Sequence, residues 1–164
     1  TGGQMGIVEI RRDRAAGPVP IGLEAALPKV PTRAQIVALE RHLLDMPALE
    51  LEPVHHFAKG IYARELRIPA GTVLTGKVHR TEHLNVLSSG DITVWTEDGM
   101  KRLQAPATMV SRPGTKRVGY AHTDTVWITI HGTNETDLDA LEAELIDNDL
   151  LAGLEPVEAL EGKS

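Results

Sequence analysis

Cysteine is absent from the 164 residues, which removes disulfides, thiolate catalysis and cysteine-based metal sites together. A chain without disulfides suits a reducing compartment. Aromatic residues are scarce, with one Phe, two Trp and two Tyr, so Val, Ile, Leu and Ala must fill the core. No apolar run reaches the roughly 18 residues of a membrane span, and no signal peptide is visible at the start. Secretion through a signal peptide is therefore not expected. Basic residues are outnumbered: 17 Lys and Arg face 23 Asp and Glu, a net charge of −6. That balance argues against a general nucleic-acid or membrane-surface binder. Neither a Ser-His-Asp order with a nucleophile elbow nor a phosphate-cradling glycine loop is present.

What is there divides into four stretches. Residues 1–30 mix Gly, Pro and charge without sustained periodicity and read as an extended arm, either loose or draped over a neighbouring subunit. Residues 31–48 hold a helix, with Thr32 as N-cap and Ile36, Leu39, Leu43 and Leu44 as its apolar stripe. Its polar face is expected to carry Arg33, Glu40 and Arg41.

Residues 49–134 change to short runs broken by turn residues, the spacing of an all-β sandwich or barrel. Strands are predicted at Leu51–His56, Ile61–Ile68, Val73–His79, Leu84–Ser88, Asp91–Thr96, Met100–Ala105, Thr108–Arg112, Arg117–His122 and Thr125–His131. Asp98-Gly99 is the strongest hairpin signal. Trp95 and Trp127 fall within strands and read as wall-packing aromatics. Residues 135–164 return to helical period, capped by Asn134 or Thr136, with a stripe of Leu138, Leu141, Leu145 and Ile146. A last short segment spans Leu154 to Leu160.

The chemistry concentrates in Gly71–Gly90, GTVLTGKVHRTEHLNVLSSG. Alternation would put Lys77 and His79 on one face of a strand, with His83 opening the next strand after a polar connection. The three side chains are expected to converge inside a small barrel. His55, His56, His122 and His131 lie at strand ends and read as surface or edge histidines.

This stretch resembles the first motif of the cupin superfamily: Gly71, five residues, Lys77-Val78-His79, three residues, His83, six residues, Gly90. Lys77 stands where the family pattern has a first His ligand, and His83 where it has Glu. The Pro113-Gly114 turn is similar to the second motif, with Arg117 or Val118 at the position of its ligating His. The resemblance implies a mainly β fold, a cupin-type double-stranded β-helix (jelly roll) with flanking helices and an N-terminal arm. The segment from Thr81 to Ile146 also resembles small cupin-like proteins of tailed bacteriophages and prophages.

Three functions follow as expectations. The first is a non-enzymatic structural or interaction protein, such as a phage capsid decoration protein, working as a homodimer with capsid or tail proteins as partners. The second is a metal-dependent dioxygenase or isomerase in which His79 and His83 ligate iron, manganese, nickel or zinc, a third ligand being unassigned. The third is an anion or sugar-acid binder using Lys77, His79 and Arg117. The first expectation is without cofactor, catalytic residue, nucleic acid or membrane.

Overall fold

The turn-punctuated runs form antiparallel strands in the computed structural model, which describes residues 7–11, 23, 27–45 and 49–147. Most of the expected arm and the whole 154–160 segment lie outside the described residues. Sheet A has the order β1 (Ile7–Arg11), β4 (Thr72–Gly76), β10 (Val118–Ala121), β7 (Asp91–Thr96) and β8 (Gly99–Gln104). Sheet B has the order β2 (Val54–Ala58), β3 (Ile61–Ile68), β11 (Thr125–Gly132), β6 (His83–Ser89) and β9 (Ala107–Ser111). Apart from the β2–β3 and β7–β8 hairpins, sheet neighbours come from distant parts of the chain, as jelly-roll winding requires, and the two sheets face each other as a jelly roll. A third, two-stranded ladder joins β5 (Val78–His79) to β12 (Ile146–Asp147). Helices α1 (Arg33–Leu44) and α2 (Leu138–Leu145) flank the barrel.

The sheets differ because one is covered and the other is not. β4, β7 and β10 are buried on both faces, which suits their near-continuous apolar runs. Their inner face meets the barrel; their outer face packs Val73, Trp95, Val118 and Tyr120 beneath α1 and Leu23 and Leu27. In sheet B, β3 and β11 alternate buried and less buried residues, the pattern of a sheet with one covered face. Burying that side chain set is worth about 25 cal/mol per Å² of apolar area, so the alternation fixes the register of β3 against β11.

Several expectations shift. The run Val73–His79 is not one strand: it breaks at Lys77 between β4 and β5. Part of the arm, β1, pairs with β4 of its own chain instead of only trailing from it. In α1, Thr32 caps as expected and forms a capping box with Gln35, but Leu44 is exposed and Val37 takes its place in the core. Glu40 is buried, not on the solvent face, because it lies one turn from both Ile36 and Leu43 on the apolar stripe. Asp137, and neither Asn134 nor Thr136, caps α2 by accepting from the Ala140 amide. Ile146 has left the helix and begins β12. Gly90, at the β6–β7 turn, has φ +98°, and a Cβ there would sit 2.5 Å from the Asp124 carbonyl oxygen.

Candidate functional site

The barrel interior is built in rows, because β3, β11 and β6 are paired and send every second side chain inward. One row is Arg64, Thr129 and Asn85; the next is Leu66, Trp127 and Leu87. Opposite them, sheet A presents Leu74, Gly119 and Val94 in register. Between the two walls lies a cavity in which the centre of a water-sized sphere can range over about 60 Å³. Its polar lining comes from sheet B (Arg64, Asn85, Ser111), the segment before β10 (Arg117) and the stretch after β4 (Lys77, His79), while sheet A supplies apolar side chains and two glycines. No Asp or Glu is among the described residues that line it.

Arg117 is the group this cavity is least able to satisfy. Its Nη2 donates to Ser111 Oγ at 2.6 Å, and its guanidinium carbon lies 5.4 Å from the Trp127 ring centroid. Its Nε is buried with no hydrogen-bond partner among the described residues. Desolvation pulls its pKa down to about 10, which still leaves it charged at neutral pH. Ser111 Oγ also accepts from Asn85 Nδ2 at 2.7 Å, and Asn85 Oδ1 accepts from Trp127 Nε1 at 3.2 Å. With two donors already aimed at Ser111 Oγ, its own O–H is left to donate elsewhere.

Lys77 also lines the cavity, but its charge is paired. Released from strand geometry, it turns its ammonium to Glu142 on α2, 2.9 Å away. Its sequence neighbour in the pattern, His79, does meet His83, with ring centroids 4.4 Å apart. His131 joins them, at 5.0 Å from His79 and 4.7 Å from His83, and stacks on Tyr62. His131 and His122 are thus buried, not surface residues: His122 Nε2 lies 2.6 Å from Thr93 Oγ1 beneath Tyr120. His131 shares its strand parity with Trp127 and Thr129, the signal that could have placed it inward. Trp127 lines the cavity as well as packing the wall.

All three clustered histidines are held neutral. Burial, followed by the charges of His83, His131, Arg64 and Arg117, brings His79 down to about 2. Burial, then His83 and Arg64, brings His131 down to about 4. His83 is also lowered, chiefly by burial, although its bond to a carbonyl opposes the shift. That bond runs from Nδ1 to the Thr81 oxygen at 3.0 Å. A carbonyl can only accept, so Nδ1 carries the proton and Nε2 is a bare acceptor.

The cluster does not make the ligand set that a cupin metal ion would need. An imidazole binds metal in its ring plane along a nitrogen lone pair. His79 and His131 are stacked, with planes only 27° apart, so their lone pairs run beside each other instead of meeting. Among the described residues no group of three or more His, Asp or Glu side chains is placed to hold a metal.

Outside the barrel, a second buried cation is satisfied. Lys116 Nζ bonds Glu40 Oε2 at 2.5 Å, both side chains being almost fully buried. The same loop is held to α1 by Arg33, which donates to the Gly114 carbonyl and to Glu97. The residue that enters the cavity is therefore carried on a segment clamped from outside.

No family model matches the sequence, and no curated protein matches it. Solved structures resemble the barrel. An RmlC-like cupin from Shewanella frigidimarina is 17% identical, with a TM-score of 0.44 over 50% of this chain and 75% of its own. KdgF from Halomonas sp. is 17% identical, with a TM-score of 0.45 over 53% and 81%. A cupin-like protein from Thermotoga maritima is 9% identical, with a TM-score of 0.45 over 53% and 70%. The likeness is one of fold over about half the chain. No activity passes from it to this protein.

Proposed function

We propose that the chain is a non-enzymatic binding module whose barrel takes up a small anion, with Arg117 as its principal ligand. One observation carries the reading: a charged guanidinium is buried in a cavity without a lining carboxylate, and its Nε has no partner among the described residues. Burying a charge without a counter-charge is costly, and a bound anion would offset that cost. The Arg117 guanidinium and the Ser111 hydroxyl both line the cavity and together suit one carboxylate or similar oxyanion. The neutral histidines add polar contacts without competing charge. The capsid decoration role rests on the phage resemblance, the departures from the cupin ligand pattern and the N-terminal arm.

The test is calorimetric titration of the full chain with acetate, phosphate and sulfate, repeated on Arg117→Met. Saturable binding of at least one anion, lost in the variant, is the expected result. Anion binding that is unchanged in Arg117→Met would place the site elsewhere. No binding by any of the three, nor by a longer monocarboxylate, would overturn the reading.

A further inference from the structure

The cavity has two chemically different walls, and that asymmetry constrains its ligand. We infer that it selects a short-chain monocarboxylate with a plain hydrocarbon tail over sugar acids and inorganic oxyanions. The inference rests on the anion reading above and narrows it.

The donors lie on one side: Arg117 and Ser111, tied to the Asn85–Trp127 hydrogen-bond chain. Facing them, Leu74 and Val94 flank Gly119, and Ile92 completes the wall. This wall has no side-chain donor or acceptor. A carboxylate can meet the donors only by sending the rest of its molecule toward the apolar wall. A tail hydroxyl would lose its water there and find no side-chain partner on that wall. Phosphate and sulfate would satisfy the donors but leave further charged oxygens against hydrocarbon.

Size sets the second limit. With about 60 Å³ open to a water-sized sphere's centre, there is room for little beyond the head group. At about 10–15 Å³ of such space per water-sized group, the cavity holds roughly four to six non-hydrogen atoms, a carboxylate of about two to four carbons. Gly119 makes part of that room: a Cβ there would sit 3.2 Å from Ile92 Cδ1 and 3.5 Å from Leu74 Cδ2. Both neighbours are side-chain ends, and Gly119 lies outside the left-handed region, so alanine is accommodated by small shifts that narrow the apolar side.

The experiment is a titration series on the full wild-type chain with acetate, propionate, butyrate, hexanoate, lactate, gluconate, phosphate and sulfate. Affinity should rise about fourfold per methylene until the cavity fills, then drop before hexanoate. Lactate should bind about tenfold or more weaker than propionate, and gluconate and the inorganic ions should be weaker still. In Gly119→Ala the preferred chain should shorten by about one carbon. Gluconate or phosphate binding as tightly as butyrate, with loss in Arg117→Met, would overturn the tail inference and leave the anion reading standing. Failure of every anion to bind would overturn both. An unchanged length preference in a folded Gly119→Ala would show that the tail does not lie on sheet A. If that variant fails to fold, the wild-type series decides.

Discussion

Lys116 and Arg117 are adjacent in the chain, and burial lowers the pKa of both. They point to opposite sides of sheet A. Lys116 goes out to α1, where Glu40 answers its charge at hydrogen-bond distance. Arg117 goes into the barrel, where no carboxylate lines the cavity among the described residues. The outer region has a closed account of its polar groups, and the inner one does not. A paired buried charge specifies how elements dock; an unanswered one calls for something the chain does not supply.

The largest expected effect comes from opening the closed side. Glu40→Gln or Lys116→Met each leaves the other charge buried and unpaired, costing about 3–5 kcal/mol in urea unfolding. A double change to apolar residues should recover most of the loss. Single-variant losses below about 1 kcal/mol would mean that the pair is solvated in solution and that the contrast fails.

Arg117→Met should behave in the opposite way. Removing an uncompensated charge from the ligand-free protein should raise stability, by about 1–2 kcal/mol, while abolishing carboxylate binding. A marked destabilisation would instead make Arg117 structural, like Lys116.

Acid sharpens the comparison through the histidines. Folded His79 sits at about 2 and His131 at about 4, against 6.5 for the ordinary group. Between those values the unfolded chain binds more protons than the folded one, so stability rises with pH throughout the window. It is full above about 6.5 and is lost progressively as pH falls. Urea midpoints measured from pH 7 to 5 should decline, and decline less in His131→Gln. A profile that is flat over that range would show that the cluster is protonated or open in solution.

The smallest effects concern residues the sequence made prominent. Lys77→Ala removes a partly exposed ion pair with Glu142, costing less than about 1 kcal/mol. Carboxylate affinity should stay within about twofold, since Glu142 already answers the ammonium. A loss comparable to that of Arg117→Met would return Lys77 to the binding group. Incubation with iron, manganese, nickel or zinc should leave no stoichiometric metal by elemental mass spectrometry. Bound metal that disappears in His79→Ala would revive the metal reading.

The strands were largely legible because their cause is local. IYARELRI and TVWITIH alternate with period two, and glycines or polar turns punctuate the runs, so β3 and β11 emerge within a residue of their expected bounds. Thr32 was legible as a cap for the same reason. Gly71 and Gly90, both at turns, adopt positive φ. Elsewhere parity is a better guide than position: His131 lies at a strand end yet shares a face with Trp127 and Thr129 and is buried, and Glu40 is buried because Ile36 and Leu43 bracket it on one helix face.

By itself, the sequence determined the sheet-forming segments, the two helices and the place of the histidine-bearing turn, because periodicity and turn chemistry act over a few residues. Tertiary structure alone decided which charges are answered. Lys77 found Glu142, 65 residues away, and Lys116 found Glu40, 76 residues away. Arg117 found Ser111 and Trp127 but no acid among the residues around it. Whether a buried cation is a structural tie or a binding group depends on partners brought up by chain winding, and local pattern carries no record of them.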